Sequence, residues 1–112
     1  MVEPRLKSKI TVSAYLRMGD AAGKPGTVIK RGDPDAGAIL LLLRGRDGLV
    51  IYSQTRDGDG NPAWLRLSGP TTVNQAAADA IVAKQQQFDA DLWAVEFECP
   101  DLLSPFEIKL VN

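Results

Sequence analysis

The sequence predicts an α+β fold, with a largely antiparallel sheet of about five strands and two helices. Short apolar or alternating segments between residues 27 and 67 are separated by turns rich in Gly, Pro and Asp, which is typical of a strand meander. From residue 73 to 88 the apolar spacing becomes that of a helix, and one more strand follows. We expect the helices to cover one face of the sheet, and the pattern leaves open whether they share it.

The bulk composition is typical of one globular domain over residues 1–112. Apolar residues make up 45% and charged residues 24% of the chain. The single cysteine, Cys99, cannot form an internal disulfide, so we expect a reducing, cytoplasmic location and an inert thiol. No apolar stretch approaches the roughly 20 residues of a membrane span, and the N-terminus does not look like a signal peptide. We therefore expect no membrane partner.

Residues 10–22 fit two secondary structures. Period-two alternation favours a strand, through Ile10, Val12, Ala14, Leu16 and Met18. Helical spacing instead places on one face Val12, Tyr15, Leu16 and Gly19. For a helix, Ser8 or Thr11 could cap the start, and Gly23 could end it in a left-handed turn. Both alternatives stay open on the pattern alone.

Strand signals dominate the middle of the chain. Residues 27–30 form a short strand, and residues 38–43, nearly all apolar, predict a central strand covered on both faces. Asp47 and Gly48 then predict a hairpin turn. Two further strands follow at residues 49–55 and 63–67, so that four strands form the meander.

The last third of the chain combines a helix, a strand and a tail. Thr72 or Asn74 supplies a cap for the helix over residues 73–88, which residues 89–91 end. The strand that contains Trp93 and Phe97 is ended by Pro100. Residues 101–112 are a tail or an edge strand, and the stretch from Phe106 to Val111 could pair with another chain.

The segment RGDPDAG, residues 31–37, is the densest turn signal. Pro34 fixes the first corner, and the Asp33 carboxylate can accept hydrogen bonds from backbone N–H groups that follow it. Gly37 can adopt a positive φ that its alanine neighbours would resist. The favoured interpretation is a turn with an architectural role.

The alternative for this segment is a site for a small anion or nucleotide, or an enzyme active site. Lys30 and Arg31 would supply positive charge, and the backbone N–H groups near Gly37 would form an anion nest. Asp33 and Asp35 would repel a phosphate, which weakens this alternative.

A second Asp-rich turn, DGDGN at residues 57–61, begins like a calcium loop. Such a loop needs Gly at its sixth position and Glu at its twelfth, where this chain has Pro62 and Ser68. Strand pairing could still bring the turn carboxylates together for acid–base chemistry or magnesium, namely Asp33, Asp35, Asp57 and Asp59. Nothing in their spacing requires it, and we predict neither a metal site nor a cofactor.

Composition narrows the possible functions. The chain has no histidine, which excludes Ser-His-Asp and Cys-His catalysis and His-ligated zinc. Residues 1–56 hold ten Lys/Arg and five Asp/Glu, whereas residues 57–112 hold three and nine. The halves therefore carry +5 and −6, and the sum of −1 makes nucleic acid an improbable partner. We favour a non-catalytic module for protein interaction or self-association. Its candidate surface residues are Trp64, Arg66, Trp93, Phe106 and Ile108.

Segments along nearly the whole chain resemble a family of small alphaproteobacterial proteins known only as a domain of unknown function. The segments are RLKS at 5–8, VSAYLR at 12–17, VIKRGDPDAGAILLLL at 28–43, WLRLSGP at 64–70 and ADAIVAKQQQFDADLWAVE at 78–96. The RGDPDAG block is among the most specific parts of this resemblance. The resemblance implies a stand-alone bacterial cytoplasmic domain whose first segment is helical. It implies no activity, cofactor or catalytic residue.

Overall fold

In the computed structural model, residues 6–111 are described, and they form two helices and six strands. The predicted domain ends at residues 1 and 112, and the segment before residue 6, lie outside the described residues. In chain order the elements are α1 (Ser8–Ala21), β1 (Gly26–Lys30), β2 (Ile39–Arg44), β3 (Leu49–Arg56), β4 (Pro62–Arg66), α2 (Gln75–Phe88), β5 (Trp93–Glu98) and β6 (Leu110–Val111).

The strands form one mixed sheet in the order β1-β5-β2-β3-β4-β6. Three pairings are antiparallel, β1 with β5, β2 with β3 and β3 with β4, and two are parallel, β2 with β5 and β4 with β6. The predicted α+β class is confirmed. The predicted four-strand meander is wrong in its first pairing, because β5 lies between β1 and β2 in the sheet. Residues 31–38 pass the start of β5, where the Asp33 N–H is donated to the Asp91 carbonyl, and β5 pairs with both β1 and β2.

The two helices cover opposite faces of the sheet, so the expectation that they cover one face is wrong. The inward side of α1 and the tail pack on side chains that include Leu41, Tyr52 and Phe97. The other face, with Leu42 and Ile51, packs against α2. This arrangement follows from β2, whose five consecutive residues from Ile39 to Leu43 are all buried and so need cover on both sides.

The first segment is a helix, as the resemblance implied. Val12 is 3% exposed and Gly19 is also buried, and this side of α1 faces the sheet. Gly23 has a φ of +72° just after the helix, which confirms the predicted left-handed end. Neither Ser8 nor Thr11 is the N-cap residue; that position is Lys7, whose side chain accepts no capping hydrogen bond.

The tail crosses the α1 face before it joins the sheet as β6. The Lys24 Nζ fixes its start, by an ion pair of 3.0 Å to Asp101 and a hydrogen bond of 2.8 Å to the Leu103 carbonyl. Strand geometry is confined to Leu110–Val111, shorter than the predicted 106–111, and β6 pairs with β4 of the same chain. Neither helix among residues 6–111 is long and apolar enough to span a bilayer.

Candidate functional site

A groove of about 910 Å³ lies on the α1 face of the sheet. Five segments line it: the start of α1, the turn before β2, the end of β3, the β3–β4 turn and the start of β4. We call it the α1 groove. Its lining residues are Leu6, Ser8, Thr11, Tyr15, Ala36, Gly37, Ala38, Ile39, Gln54, Thr55, Arg56, Gly60, Asn61, Pro62, Ala63 and Trp64.

The RGDPDAG turn forms one wall of the groove, and its polar groups bond to one another. Asp33 Oδ2 accepts the backbone N–H of Asp35 at 3.1 Å and of Ala36 at 2.8 Å. The Gly37 N–H is donated to the Asp33 carbonyl at 3.3 Å. The N–H groups from which we predicted an anion nest are thus engaged by Asp33 itself.

The same turn caps α1 with backbone carbonyls. The N–H of Lys9 is donated to the Pro34 carbonyl at 2.9 Å, and that of Ser8 to the Asp35 carbonyl at 3.3 Å. The Ser8 hydroxyl donates to the Gly37 carbonyl at 2.5 Å and is buried. These carbonyls replace a side-chain N-cap, because they satisfy N–H groups that the first helical turn leaves without a partner.

On its other side the turn packs against the start of β5. The N–H of Asp33 is donated to the Asp91 carbonyl at 2.9 Å, and the Trp93 indole N–H to the Asp33 carbonyl at 2.7 Å. A Cβ on Gly37 would lie 2.1 Å from the Asp91 carbonyl oxygen, and one on Gly32 2.2 Å from it. The positive φ expected for Gly37 is wrong. Glycine is needed at this position because the backbone of another segment lies against it.

The two cations of the predicted anion site, Lys30 and Arg31, do not line the α1 groove. Lys30 is the last residue of the edge strand β1. The Arg31 guanidinium lies 5.7 Å from the centre of the Trp93 ring, in a cation–π contact. Of the five residues predicted for that site, only Gly37 lines the groove, and Asp35 lines a separate depression beside α1.

The β3–β4 turn forms the opposite wall. Asp57 Oδ1 accepts the backbone N–H groups of Asp59 and Asn61, both at 2.9 Å. The Asp57 carboxylate is also paired with Lys109 of the tail. The hydrogen bond from Lys109 and then the backbone hydrogen bond from Asn61 lower the pKa of Asp57 to about 2. Arg56 points its Nη1 at the Gly60 carbonyl at 2.7 Å, so this wall holds a guanidinium at the rim.

Aromatic rings form the floor of the groove. Tyr15 stacks on Phe106 of the tail with ring centres 4.0 Å apart and planes at 8°. Trp64 tilts toward both rings, at 6.3 Å from Tyr15 and 6.5 Å from Phe106. Burial raises the pKa of the Tyr15 phenol above its ordinary value. Tyr15 and Trp64 belong to the groove lining, and Phe106 packs beside them.

The five residues proposed from the sequence as an interaction surface do not form one exposed patch, because four of them pack in the core cluster on the α1 face. Trp64 is 7% exposed and lines the groove, whereas Trp93 is 2% exposed and holds the RGDPDAG turn. Phe106 and Ile108 pack on the core from the tail. Arg66 is half-buried, and its Nε has no hydrogen-bond partner among the described residues.

Sequence reasoning did not identify most of the groove lining. Thr11 and Tyr15 of α1 come together with Gln54 and Asn61 only when the helix packs on the sheet, and no local pattern predicts that contact. The one available signal was in β3, where Gln54 and Arg56 place polar side chains on the α1 face after a buried start. Gln54 Oε1 accepts the Ile39 N–H at 2.8 Å, which links the ends of β3 and β2.

The four turn aspartates do not form a metal site or a carboxylate cluster. Asp33 and Asp35 lie beside the start of α1, whereas Asp57 and Asp59 lie in the β3–β4 turn. Over residues 6–111 there is no group of three or more Cys, Asp or Glu residues placed to hold a metal ion.

Comparison with known proteins places the chain in a family. Residues 6–107 match the model described as "Protein of unknown function (DUF1491)". The chain belongs to the DUF1491 family. A crystal structure of a DUF1491 family protein from Caulobacter crescentus CB15 is 28% identical, with a TM-score of 0.83, and covers 96% of this chain and 100% of that one.

Two solution structures agree with this assignment. An NMR structure of a DUF1491 family protein from the same organism has a TM-score of 0.82 at 28% identity, covering 98% of this chain and 100% of that one. Protein Atu0922 from A. tumefaciens has a TM-score of 0.77 at 30% identity, covering 97% of each chain. No curated protein matches this chain. The predicted resemblance to an alphaproteobacterial family of unknown function is confirmed at the family level. That the RGDPDAG block is characteristic of this family stays a prediction.

Proposed function

We propose that this domain is a non-catalytic binding module that holds a segment of a partner protein in the α1 groove. The observation that carries the proposal is the groove itself, an open concavity of about 910 Å³ with an aromatic floor and a polar rim. Buried aromatic residues with polar groups at their edge are the usual composition of a protein-binding hot spot. We further propose that the module acts in the bacterial cytoplasm, where the buried Cys99 stays reduced.

The rim indicates which segment would bind. Among the described residues of the lining, Arg56 is the only cation and none is acidic. Thr11 and Asn61 add uncharged donors and acceptors. A segment with one apolar or aromatic side chain for the floor and a carboxylate or carbonyl for Arg56 satisfies both parts of the groove.

The walls support this use because each is fixed by internal hydrogen bonds. The RGDPDAG turn is bonded to α1 and β5, and the β3–β4 turn is bonded to Lys109 of the tail. Walls that are already ordered lose little conformational entropy when a ligand binds. The groove can therefore bind a peptide segment without first having to order its own walls.

A random-peptide selection tests the proposal. Peptides enriched by the wild-type protein should shift the amide resonances of the groove lining, and Thr11→Arg should abolish their binding by filling the groove. Ser13→Arg is the matched control, since Ser13 lies on the same helix but outside the lining, and it should bind normally. Failure to enrich any peptide, or equal binding by the Thr11→Arg protein, would contradict the proposal.

Two further measurements separate this proposal from its alternatives. Light scattering of the full chain reports self-association: a dimer that dissociates in the Thr11→Arg protein would make the bound segment part of a second copy. A thermal-shift series with phosphate and nucleotides reports the anion alternative. A rise in melting temperature that depends on Lys30 and Arg31 would favour that alternative over the groove.

A further inference from the structure

We propose that the outer side of α1 binds an acidic amphipathic helix of a partner protein. This surface lies on the opposite flank of α1 from the α1 groove, and no residue lines both. The inference therefore goes beyond the proposed function and stands on different residues.

The surface combines a depression of about 570 Å³, which includes Ile10 in its lining, with the exposed apolar side chains that continue along α1 beyond it. It has two neighbouring strips. The first, the basic strip, has polar residues four apart: Lys9, Ser13 and Arg17. The second, the apolar strip, is offset by one residue: Ile10, Ala14 and Met18. Residues four apart lie one above the other on a helix, so each strip follows the helix axis. Pro34 and Asp35 of the RGDPDAG turn close the depression near the helix start.

The apolar strip is exposed although the helix is well anchored. Ile10 is 49% and Met18 46% exposed, whereas Val12 on the inward side is 3% exposed. The helix is already held to the sheet through Val12 and its neighbours, so Ile10 and Met18 contribute little to that packing. Large apolar side chains aligned in this way are the anchors that a helical partner uses.

The charges of the depression favour an acidic occupant. Its lining contains Lys7, Lys9 and Arg17 against the single acid Asp35, which gives a net charge of +2. Lys7 lies 3.6 Å from Asp35, with both side chains about two-thirds exposed. Lys9 and Arg17 form no ion pair with another described residue. A partner helix with an acidic strip beside an apolar strip complements both features.

Other occupants fit less well. A symmetric contact between two copies would bring the cations of one basic strip against those of the other, which is unfavourable. A nucleic acid would leave Ile10 and Met18 exposed, since it offers phosphates but no apolar strip. A membrane-surface helix needs a wider apolar face than two large side chains and one alanine.

Titration with synthetic peptides tests the inference. The probe is a helical peptide with Leu and Glu in adjacent strips four residues apart, and its partner peptide replaces Glu by Gln. The Glu peptide should bind at least about tenfold more tightly, weaken as salt is raised, and shift amide resonances of residues 7–18. The double variant Lys9→Glu, Arg17→Glu should lose this binding, whereas Ile10→Ser should weaken it without altering the salt dependence.

Matched controls separate the outcomes. Arg46→Glu, Lys84→Glu changes the net charge equally at exposed positions elsewhere and should bind like the wild type. Thr11→Arg, which fills the α1 groove, should also bind the Glu peptide normally. The test of the α1 groove and the test of the outer side of α1 can therefore fail independently. Equal affinity for the Glu and Gln peptides, or loss of binding in the Arg46, Lys84 control, would overturn the inference. Tighter binding to phosphatidylserine vesicles or to duplex DNA, unaffected by Ile10→Ser, would overturn it in favour of a general polyanion surface.

Discussion

Two Asp-Gly turns face each other across the α1 groove, and they use the same chemistry for different purposes. In each, the first aspartate accepts two backbone N–H groups of its own turn, Asp33 in one and Asp57 in the other. The RGDPDAG turn is enclosed by α1 and β5, whereas the DGDGN turn is a hairpin tip tied to the tail through Lys109. The aspartates that stand out in the sequence therefore stabilise the two turns. The α1 groove between these turns is lined mainly by uncharged residues.

The largest expected difference between the turns concerns their glycines. Gly37→Ala should lower the free energy of unfolding by about 2–3 kcal/mol, because its Cβ would overlap the Asp91 carbonyl. Gly58→Ala in the other turn is the matched change, since no atom lies within 4 Å of that Cβ. It should alter stability by no more than about 0.5 kcal/mol. Urea denaturation of both variants measures the difference, and equal midpoints would show that the RGDPDAG turn is not tightly enclosed.

A smaller effect is expected at the aspartate that organises the enclosed turn. Asp33→Ala leaves the N–H groups of Asp35 and Ala36 without their charged acceptor, which should cost about 1.5 kcal/mol. Asp35→Ala is the control within the same turn, because its exposed ion pair with Lys7 is worth under about 0.5 kcal/mol. Thermal melts of both variants measure these stability losses, and the same melts with added phosphate test for anion binding. If phosphate stabilised the wild type but not the Asp33 variant, the turn would hold an anion.

The comparison also shows how far the sequence determines this fold. The bounds of β2 to β5 and of α2 follow from local signals, such as Asn74, which accepts the Ala77 N–H as an N-cap. The insertion of β5 between β1 and β2 does not, because the apolar run of β2 indicates a central strand without indicating which strands pair with it. The opposite placement of the helices was implicit in the apolar run of β2, which needs cover on both faces.

The candidate site was less predictable than the fold. Turn chemistry correctly placed Asp33 as a backbone acceptor but could not tell whether the N–H groups near it were free for a solute. The groove depends on side chains from segments far apart in the chain, such as Tyr15 and Trp64. Trp64 was a candidate surface residue from the sequence, but no local pattern predicts its contact with Tyr15, because α1 and β4 meet only through the packing of the helix on the sheet.

The smallest expected effect is at Asp57 in the DGDGN turn, where the free energy of unfolding should depend on pH. The pKa of Asp57 is lowered from 3.8 to about 2, so the folded protein favours the carboxylate. The stability from this preference is fully present above pH 3.8 and is lost as the pH falls through about 2. Asp57→Asn keeps an acceptor for Asp59 and Asn61 but removes the ion pair with Lys109. Its stability deficit relative to the wild type should therefore be constant at higher pH and shrink across this window. Denaturation midpoints measured through the window test this, with Asp59→Asn as a control, and a pH-independent deficit would mean that the Asp57 carboxylate gains nothing from Lys109.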